Sequence, residues 1–135
     1  MFTVKTFDKL RYADTDRQGH VNNAVFASFL ETGRVELLYG GPKPLITNNK
    51  SFVLASVQID FLAELLWPGQ LDIGTAVSKT GKSSIHLFQI LYCDGKAVAK
   101  ASSVVVQVDN DTRKSTPLSK IALQALQSMQ LKQEK

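Results

Sequence analysis

The chain has a single cysteine, and no segment approaches the run of about 20 apolar residues that a membrane-spanning helix needs. Cys93 alone cannot form an intrachain disulfide, which fits a reducing compartment. The first residues, MFTVKTFDK, lack the basic and then apolar layout of a signal peptide. These absences predict a soluble, cytoplasmic protein without a membrane partner.

Histidine is also scarce, which limits the chemistry that the chain can carry out. His20 and His86 lie far apart, and with one cysteine they form no recognisable zinc pattern. His86 lies in an apolar strand, where a structural role is expected. Neither a Gly-x-Ser-x-Gly elbow nor a Cys/His motif occurs. Gly81-Lys82-Ser83 resembles the end of a phosphate-binding loop, but the earlier glycine is too far away. The sequence therefore predicts no metal and no nucleotidase.

The charge balance narrows the choice of partner. The formal net charge is +4, but the basic residues are scattered and do not alternate with exposed aromatic residues as they do in RNA-binding sheets. We therefore expect no nucleic-acid partner. A modest positive balance suits either an ordinary solvated surface or a small ligand that carries several phosphates.

The length and the hydrophobic pattern predict one domain of mixed structure. With 135 residues, 44% of them hydrophobic, the chain can form one core and is too short for two, so residues 1–135 are predicted to be a single domain. Helical or alternating spacing of apolar residues locates the elements. The predicted helices are Asn23–Tyr39, stopped by Gly40-Gly41-Pro42, and Leu118–Leu131; the predicted strands are Val4–Tyr12, Val53–Phe61, Leu71–Val77, Ile85–Tyr92 and Val98–Val108.

Several apolar surfaces in this pattern are expected to be buried by other structure or by another subunit. The first half of the long helix, AVFASFL, is apolar on nearly every side and is expected to be wrapped by other structure. Two of the strands, Ile85–Tyr92 and much of Val98–Val108, are apolar on both faces. One buried face is predicted for another strand, carrying Val53, Ala55, Val57, Ile59 and Phe61. We therefore expect a homodimer or a homotetramer with its active sites at the subunit boundary.

The most informative segment is DTDRQGHVNN, Asp14 to Asn23, immediately before the long helix. Gly19 can adopt backbone angles closed to other residues, and Asn22 and Asn23 are good caps for the helix that follows. Free N–H groups at the start of a helix stabilise negative charge. Such a turn can hold a carbonyl oxygen while Asp16 attacks the carbonyl carbon or directs water at it. This layout suits acyl transfer.

The same segment, with Glu31 and Arg34 in FLETGRVELL and the later WPGQLDIGTAVSKTGKSS, resembles the hotdog-fold acyl-CoA thioesterases of the 4-hydroxybenzoyl-CoA thioesterase type. The likeness spans most of residues 3–108. It implies an α+β hotdog fold, with an antiparallel sheet around one long helix. It also implies that Asp16 is the catalytic carboxylate and that the N–H of Asn23 polarises the thioester carbonyl. Phe26 departs from the pattern, since many relatives have tyrosine there.

Each candidate residue also has an ordinary structural explanation. Asp16 can be a turn residue that bonds its own backbone, and the nearby Asp14 is expected to support the turn. His20 either acts as a general base or belongs to the architecture of the turn. Glu31, two helical turns into the helix, either faces the same cavity or pairs with Arg34 on the surface.

The resulting prediction is an acyl-CoA thioesterase that releases a free acid and coenzyme A, with no cofactor beyond its substrate. The alternatives are a hotdog dehydratase acting on 3-hydroxyacyl thioesters and a non-catalytic module that binds acyl thioesters. Catalysis is assigned to Asp16, as nucleophile or general base, and to Asn23 and His20. The predicted substrate contacts are Gly19, Asn22, Glu31, and Lys82 with Ser83, a hairpin tip that either meets the phosphates of coenzyme A or is an ordinary polar turn.

Overall fold

The computed structural model describes residues 2–41 and 45–131. Along the chain the elements are β1 (Val4–Lys9), a 3₁₀ turn (Tyr12–Asp14), α1 (Asn23–Tyr39), β2 (Lys50–Phe61), β3 (Gln70–Thr80), β4 (Ser84–Cys93), β5 (Lys96–Asp109) and α2 (Lys120–Gln127). The strands form one antiparallel sheet in the order β1-β3-β4-β5-β2. The long helix α1 packs on one face of it, over β1, β3 and β4. The predicted α+β arrangement is confirmed.

Local signals set the limits of α1, which begins and ends where the sequence predicts. The side chain of Asn22 caps the first turn by accepting the N–H of Ala24 at 3.0 Å. At the other end, the N–H of Gly40 donates to the carbonyl of Glu36 at 2.9 Å. Pro42, part of the predicted stop, lies outside the described residues. Within the described ranges, no helix has the length and apolarity that crossing a membrane requires.

The first strand and the last helix are shorter than predicted. β1 ends at Lys9 and not at Tyr12, because the chain bends into the 3₁₀ turn. α2 spans Lys120–Gln127 and not 118–131. Its end is set by β3, since the N–H of Val77 donates to the carbonyl of Met129 at 2.9 Å and pulls the chain out of the helix.

A bulge in β2 overturns the prediction of a single buried face for that strand. The pairing with β5 shifts between Leu54 and Ser56, which leaves Ala55 as an extra residue. Because one inserted residue exchanges the two faces of a strand, Val53 lies on the opposite face from Val57.

The expectation that other structure wraps the first half of α1 is also not met on one side of the helix in a single copy of the chain. One strip of the helix faces solvent and contains Ala24, Ala27, Ser28, Glu31 and Val35. The opposite side is buried against the sheet. β2 is an edge strand, and its Leu54, Val57 and Phe61 are also exposed. A single copy therefore leaves apolar surface on both α1 and β2.

The helix approaches the sheet closely at Gly33. A Cβ atom built there would be 2.5 Å from Nε2 of Gln89 and 2.6 Å from side-chain atoms of Ile73 and Thr75. This close approach also brings Nε2 of Gln89 within 2.9 Å of the carbonyl of Leu30, to which it donates. A glycine at this point thus fixes the height of α1 above the sheet.

We expect Gly33→Ala to lower the free energy of unfolding by about 2 kcal/mol. The added methyl group meets three buried side chains, and overpacking of this kind costs more than the roughly 1 kcal/mol that alanine gains in helix propensity. Urea unfolding would measure the difference, with Gly41→Ala as control because a Cβ there meets nothing within 4 Å. A Gly33→Ala protein as stable as the wild type would contradict the close approach.

Candidate active site

The turn before α1 is anchored by the carboxylate of Asp14, which is only 2% exposed. Its Oδ2 accepts the backbone N–H of Arg11 at 2.9 Å, and its Oδ1 accepts Nη2 of Arg11 at 2.9 Å. The hydrogen bond to Asp14 raises the pKa of the Arg11 guanidinium. The carbonyl of Asp14 accepts the N–H of Asn22 at 2.9 Å. Asp14 thus connects Arg11, before the turn, with Asn22, the residue that precedes α1.

Asp16 uses only one of its two carboxylate oxygens to hold the turn. Its Oδ1 accepts the N–H groups of Gln18 at 2.9 Å and of His20 at 3.2 Å. The N–H of Gly19, whose φ is 82°, donates to the carbonyl of Asp16 at 3.1 Å. Oδ2 accepts no hydrogen bond from the described residues, and the side of the turn that carries Asp16 is exposed in a single copy. Among the described residues, the turn therefore engages Oδ1 and leaves Oδ2 unengaged.

The first backbone N–H groups of α1 differ in whether a described residue accepts them. Ala24 donates to the side chain of Asn22, and the N–H of Val25 donates to the carbonyl of Asn22 at 2.9 Å. The N–H of Asn23 meets no acceptor in the described part of the chain. Because it lies at the positive end of the helix dipole, this N–H can stabilise an oxyanion.

The residues that carry these groups line a cavity of about 380 Å³. Its polar lining comes from Asp16, His20, Asn22, Asn23 and Glu64, and its apolar lining from Val21, Phe26, Ala63 and Leu65. Phe26 is 2% exposed and meets Phe61 edge to face at 5.1 Å between ring centroids. Phe26, at the position where many relatives have tyrosine, therefore contributes a ring without a hydroxyl to the apolar wall of the cavity.

Glu64 is a site residue that the sequence did not reveal. Its Oε2 lies 3.6 Å from Nε2 of His20, and its side chain is 74% exposed. This contact arises because the backbone of residues 20–21 pairs with that of residues 65–66. The N–H of Val21 donates to the carbonyl of Leu65 at 2.7 Å, and His20 forms an isolated β-bridge with Leu66. No local pattern distinguishes Glu64 from a solvated charge, since this pairing joins distant parts of the chain.

Three residues predicted to contact the substrate do not line the cavity in a single copy of the chain. Glu31 is exposed, does not line the cavity, and makes no ion pair with Arg34 within 4 Å. Lys82 and Ser83 do not line the cavity and lie beyond the end of β3, in the turn to β4. The carbonyl of Lys82 accepts the N–H of Leu118 at 2.9 Å. Within the described ranges, no three His, Cys, Asp or Glu side chains are grouped to hold a metal ion.

The family model of the thioesterase-like superfamily matches residues 10–126. The chain belongs to this superfamily. The resemblance to hotdog thioesterases seen in the sequence is thereby confirmed. Among solved structures, a protein from Pseudomonas aeruginosa superimposes with a TM-score of 0.85 at 23% identity, covering 96% of this chain and 92% of that one. At this identity the likeness concerns the fold, which is the hotdog fold.

Two further relatives carry informative names. An acyl-CoA thioesterase, YbgC of Helicobacter pylori, is 29% identical over 87 residues, which are 63% of this chain and 64% of that protein. The match thus spans a little less than two thirds of that relative. A thioesterase of Thermus thermophilus, complexed with coenzyme A and zinc, superimposes with a TM-score of 0.80 at 27% identity, covering 95% of this chain and 94% of that one.

Proposed function

We propose that this protein is an acyl-CoA thioesterase that hydrolyses an acyl-CoA to a free acid and coenzyme A. One observation carries the proposal: the uncommitted Oδ2 of Asp16 and the free N–H of Asn23 belong to residues that line one cavity. Membership of the thioesterase-like superfamily supports it, as do the names of the H. pylori and T. thermophilus relatives.

The chemistry follows from the two groups. The thioester carbonyl oxygen accepts the N–H of Asn23, which stabilises the negative charge that develops on that oxygen as the carbonyl carbon is attacked. Asp16 either attacks this carbon itself, expelling the thiolate and leaving a mixed anhydride that water cleaves, or takes a proton from the attacking water. Mass spectrometry of enzyme quenched during turnover separates these routes, because only the first adds an acyl group to Asp16.

His20 and Glu64 complete the polar lining of the cavity. The 3.6 Å approach of the two side chains directs Nε2 of His20 toward Glu64. His20 thereby offers a second polar group beside the reacting thioester. Thiolate is a good leaving group, so its departure needs little proton donation. We assign His20 a supporting role and Asp16 the main one.

Asp16→Asn should reduce turnover by about two to four orders of magnitude. The amide oxygen can still accept the N–H groups of Gln18 and His20, so the turn is expected to survive while the reactive charge is lost. Thiol release from an acyl-CoA panel measures turnover, and the thermal midpoint of the same preparation reports folding. Asp72→Asn, at an exposed position on β3, is the matched control. A folded Asp16→Asn protein with near-normal hydrolysis would refute the mechanism.

The same panel separates the proposed activity from its alternatives. Hydrolysis releases a free thiol, dehydration of a 3-hydroxyacyl thioester forms a new double bond, and a binding module does neither.

Gly19→Val should impair turnover more than stability. A Cβ at Gly19 meets nothing within 4 Å, so the cost comes from a φ of 82°, which valine avoids. Strain of this kind is worth about 1–3 kcal/mol, and its relief re-aims the turn that carries Asp16. We expect turnover to fall by more than about tenfold, whereas Gly19→Asn should stay near wild type because asparagine tolerates this conformation. Equal turnover in both folded variants would exclude the proposed role of the turn.

The chain should assemble at least as a dimer, either a homodimer or a homotetramer. The exposed strip of α1 and the exposed apolar residues of the edge strand β2 leave surface that one copy cannot cover. Light scattering at micromolar concentration is expected to give a multiple of the monomer mass of 14.9 kDa. A stable monomer under these conditions would overturn this expectation.

A further inference from the structure

Three ionisable side chains, those of Asp16, His20 and Glu64, line the cavity of the candidate active site. They come from two segments that are distant in the sequence, the turn before α1 and the loop between β2 and β3. The described lining of the cavity contains no lysine and no arginine. The site therefore combines two carboxylates with one imidazole.

The backbone of His20 is bonded to Asp16 through both of its polar groups. Its N–H donates to Oδ1 of Asp16 at 3.2 Å, and its carbonyl accepts the N–H of Asp16 at 2.7 Å. The side chain of His20 is 31% exposed, and its Nδ1 takes part in no hydrogen bond with a described residue. The imidazole is thus carried by a residue that the turn holds beside Asp16, and one of its ring nitrogens is open to a water molecule.

The backbone around Glu64 is held on both sides. Before it, the N–H of Ala63 donates to the carbonyl of Val98 at 3.3 Å; after it, the carbonyl of Leu65 accepts the N–H of Val21 at 2.7 Å. Leu65 is also 2% exposed, so this part of the loop is anchored in the core. The carboxylate of Glu64 is therefore presented to the imidazole by a constrained backbone, although its own side chain is 74% exposed.

The nucleophilic route of the proposed function needs a base that Asp16 cannot provide. Once Oδ2 of Asp16 has attacked the thioester and the thiolate has left, this carboxylate is part of a mixed anhydride. The water that cleaves the anhydride must lose a proton as it attacks. Among the described residues that line the cavity, only His20 and Glu64 remain to accept that proton. An imidazole is the better base near neutral pH.

We propose that His20 is the general base for this water and that Glu64 is a positioning residue that orients the imidazole of His20. This inference rests on the proposed thioesterase function and selects the route in which Asp16 is the nucleophile. The N–H at Nε2 of His20 points to Glu64, which leaves the lone pair of Nδ1 for the water. A base oriented by a third group is a general way to activate a nucleophile. The present 3.6 Å separation fits this role, since catalytic contacts are often long before substrate binds and then tighten.

The step consumes one water molecule and regenerates the enzyme. The oxygen of the water bonds to the acyl carbonyl carbon, and a proton of the water moves to Nδ1 of His20. The bond between that carbon and Oδ2 of Asp16 then breaks, and its electron pair returns to Asp16 as a carboxylate. The free acid leaves, and the imidazolium, stabilised by the negative charge of Glu64, gives its proton to solvent.

Rapid-quench kinetics with the best substrate of the acyl-CoA panel tests this assignment. Glu64→Gln should lower kcat by about tenfold and His20→Asn by about a hundredfold. Because only the second step is slowed, both variants should release thiol in a larger initial burst than the wild type, with an acyl group on Asp16 in the mass spectrum. Their KM should fall with kcat, so that kcat/KM, which ends at thiol release, stays within about threefold of the wild type.

Hydroxylamine provides a second readout that a purely structural role would not change. It is a stronger nucleophile than water and attacks an anhydride without a general base, forming an acyl hydroxamate and freeing Asp16. After subtraction of its reaction with the thioester in the absence of protein, it should restore most of the turnover of Glu64→Gln and His20→Asn. Asp94→Asn is the matched control, because it removes an exposed carboxylate at a φ of 51°, which asparagine tolerates. This control should match the wild type in kcat, burst and response to hydroxylamine.

The outcomes that would overturn the inference are distinct from failure of the proposed function. Glu64→Gln with the kcat and burst of the wild type would exclude the positioning role. A loss of kcat in His20→Asn with an equal loss of kcat/KM and no acyl group on Asp16 would exclude the second-step role. If His20→Asn does not fold, as its thermal midpoint would show, the exposed Glu64→Gln decides alone. A wild type that hydrolyses no acyl-CoA refutes the proposed function and this inference with it, whereas wild-type turnover with either of the first two results refutes only the inference.

Discussion

The close contact between α1 and the sheet at Gly33 determines much of the rest of the structure. Because no side chain intervenes there, Gln89 reaches the carbonyl of Leu30 and the helix lies low across β1, β3 and β4. The height and direction of α1 in turn fix where its first N–H groups point. They also fix which residues of its flank are buried, including Arg34. The cavity at one end of the helix and the packing of the buried side chains of Thr75 and Gln89 beneath its middle therefore depend on the same contact.

Under the proposed function, the turn that carries Asp16 serves a structural role and a chemical role through different atoms. Asp14 is buried and fully used in holding the turn, whereas Asp16 is exposed and contributes one oxygen to it. A carboxylate held by two backbone N–H groups has little freedom, so its second oxygen is already oriented before a substrate arrives. Such preorganisation lowers the entropic cost of reaching a reactive geometry. The free N–H of Asn23 is fixed in the same way by the cap at Asn22.

A single copy of the chain leaves apolar side chains exposed and one charged side chain, that of Arg34, buried. The strip along α1 and the inner face of β2 expose side chains that would normally be covered, and Arg34 is covered where a charge would normally be exposed. Both features lie on the same side of the helix.

Local chemistry in the sequence determined the limits of α1 through its caps, Asn22 and Gly40. It also brought Asp16 and Asn23 to the lining of one cavity, because both residues belong to one short segment. The tertiary structure alone decided the features that depend on pairing between distant segments. Glu64 joins the cavity only because Leu65 bonds Val21, and the bulge at Ala55 exchanges the faces of β2. The burial of Arg34 away from any described carboxylate is likewise invisible in FLETGRVELL, where an acid three residues earlier suggests an ordinary surface pair. Hydrogen bonds within a turn follow from neighbouring residues, whereas burial and register follow from packing against the whole sheet.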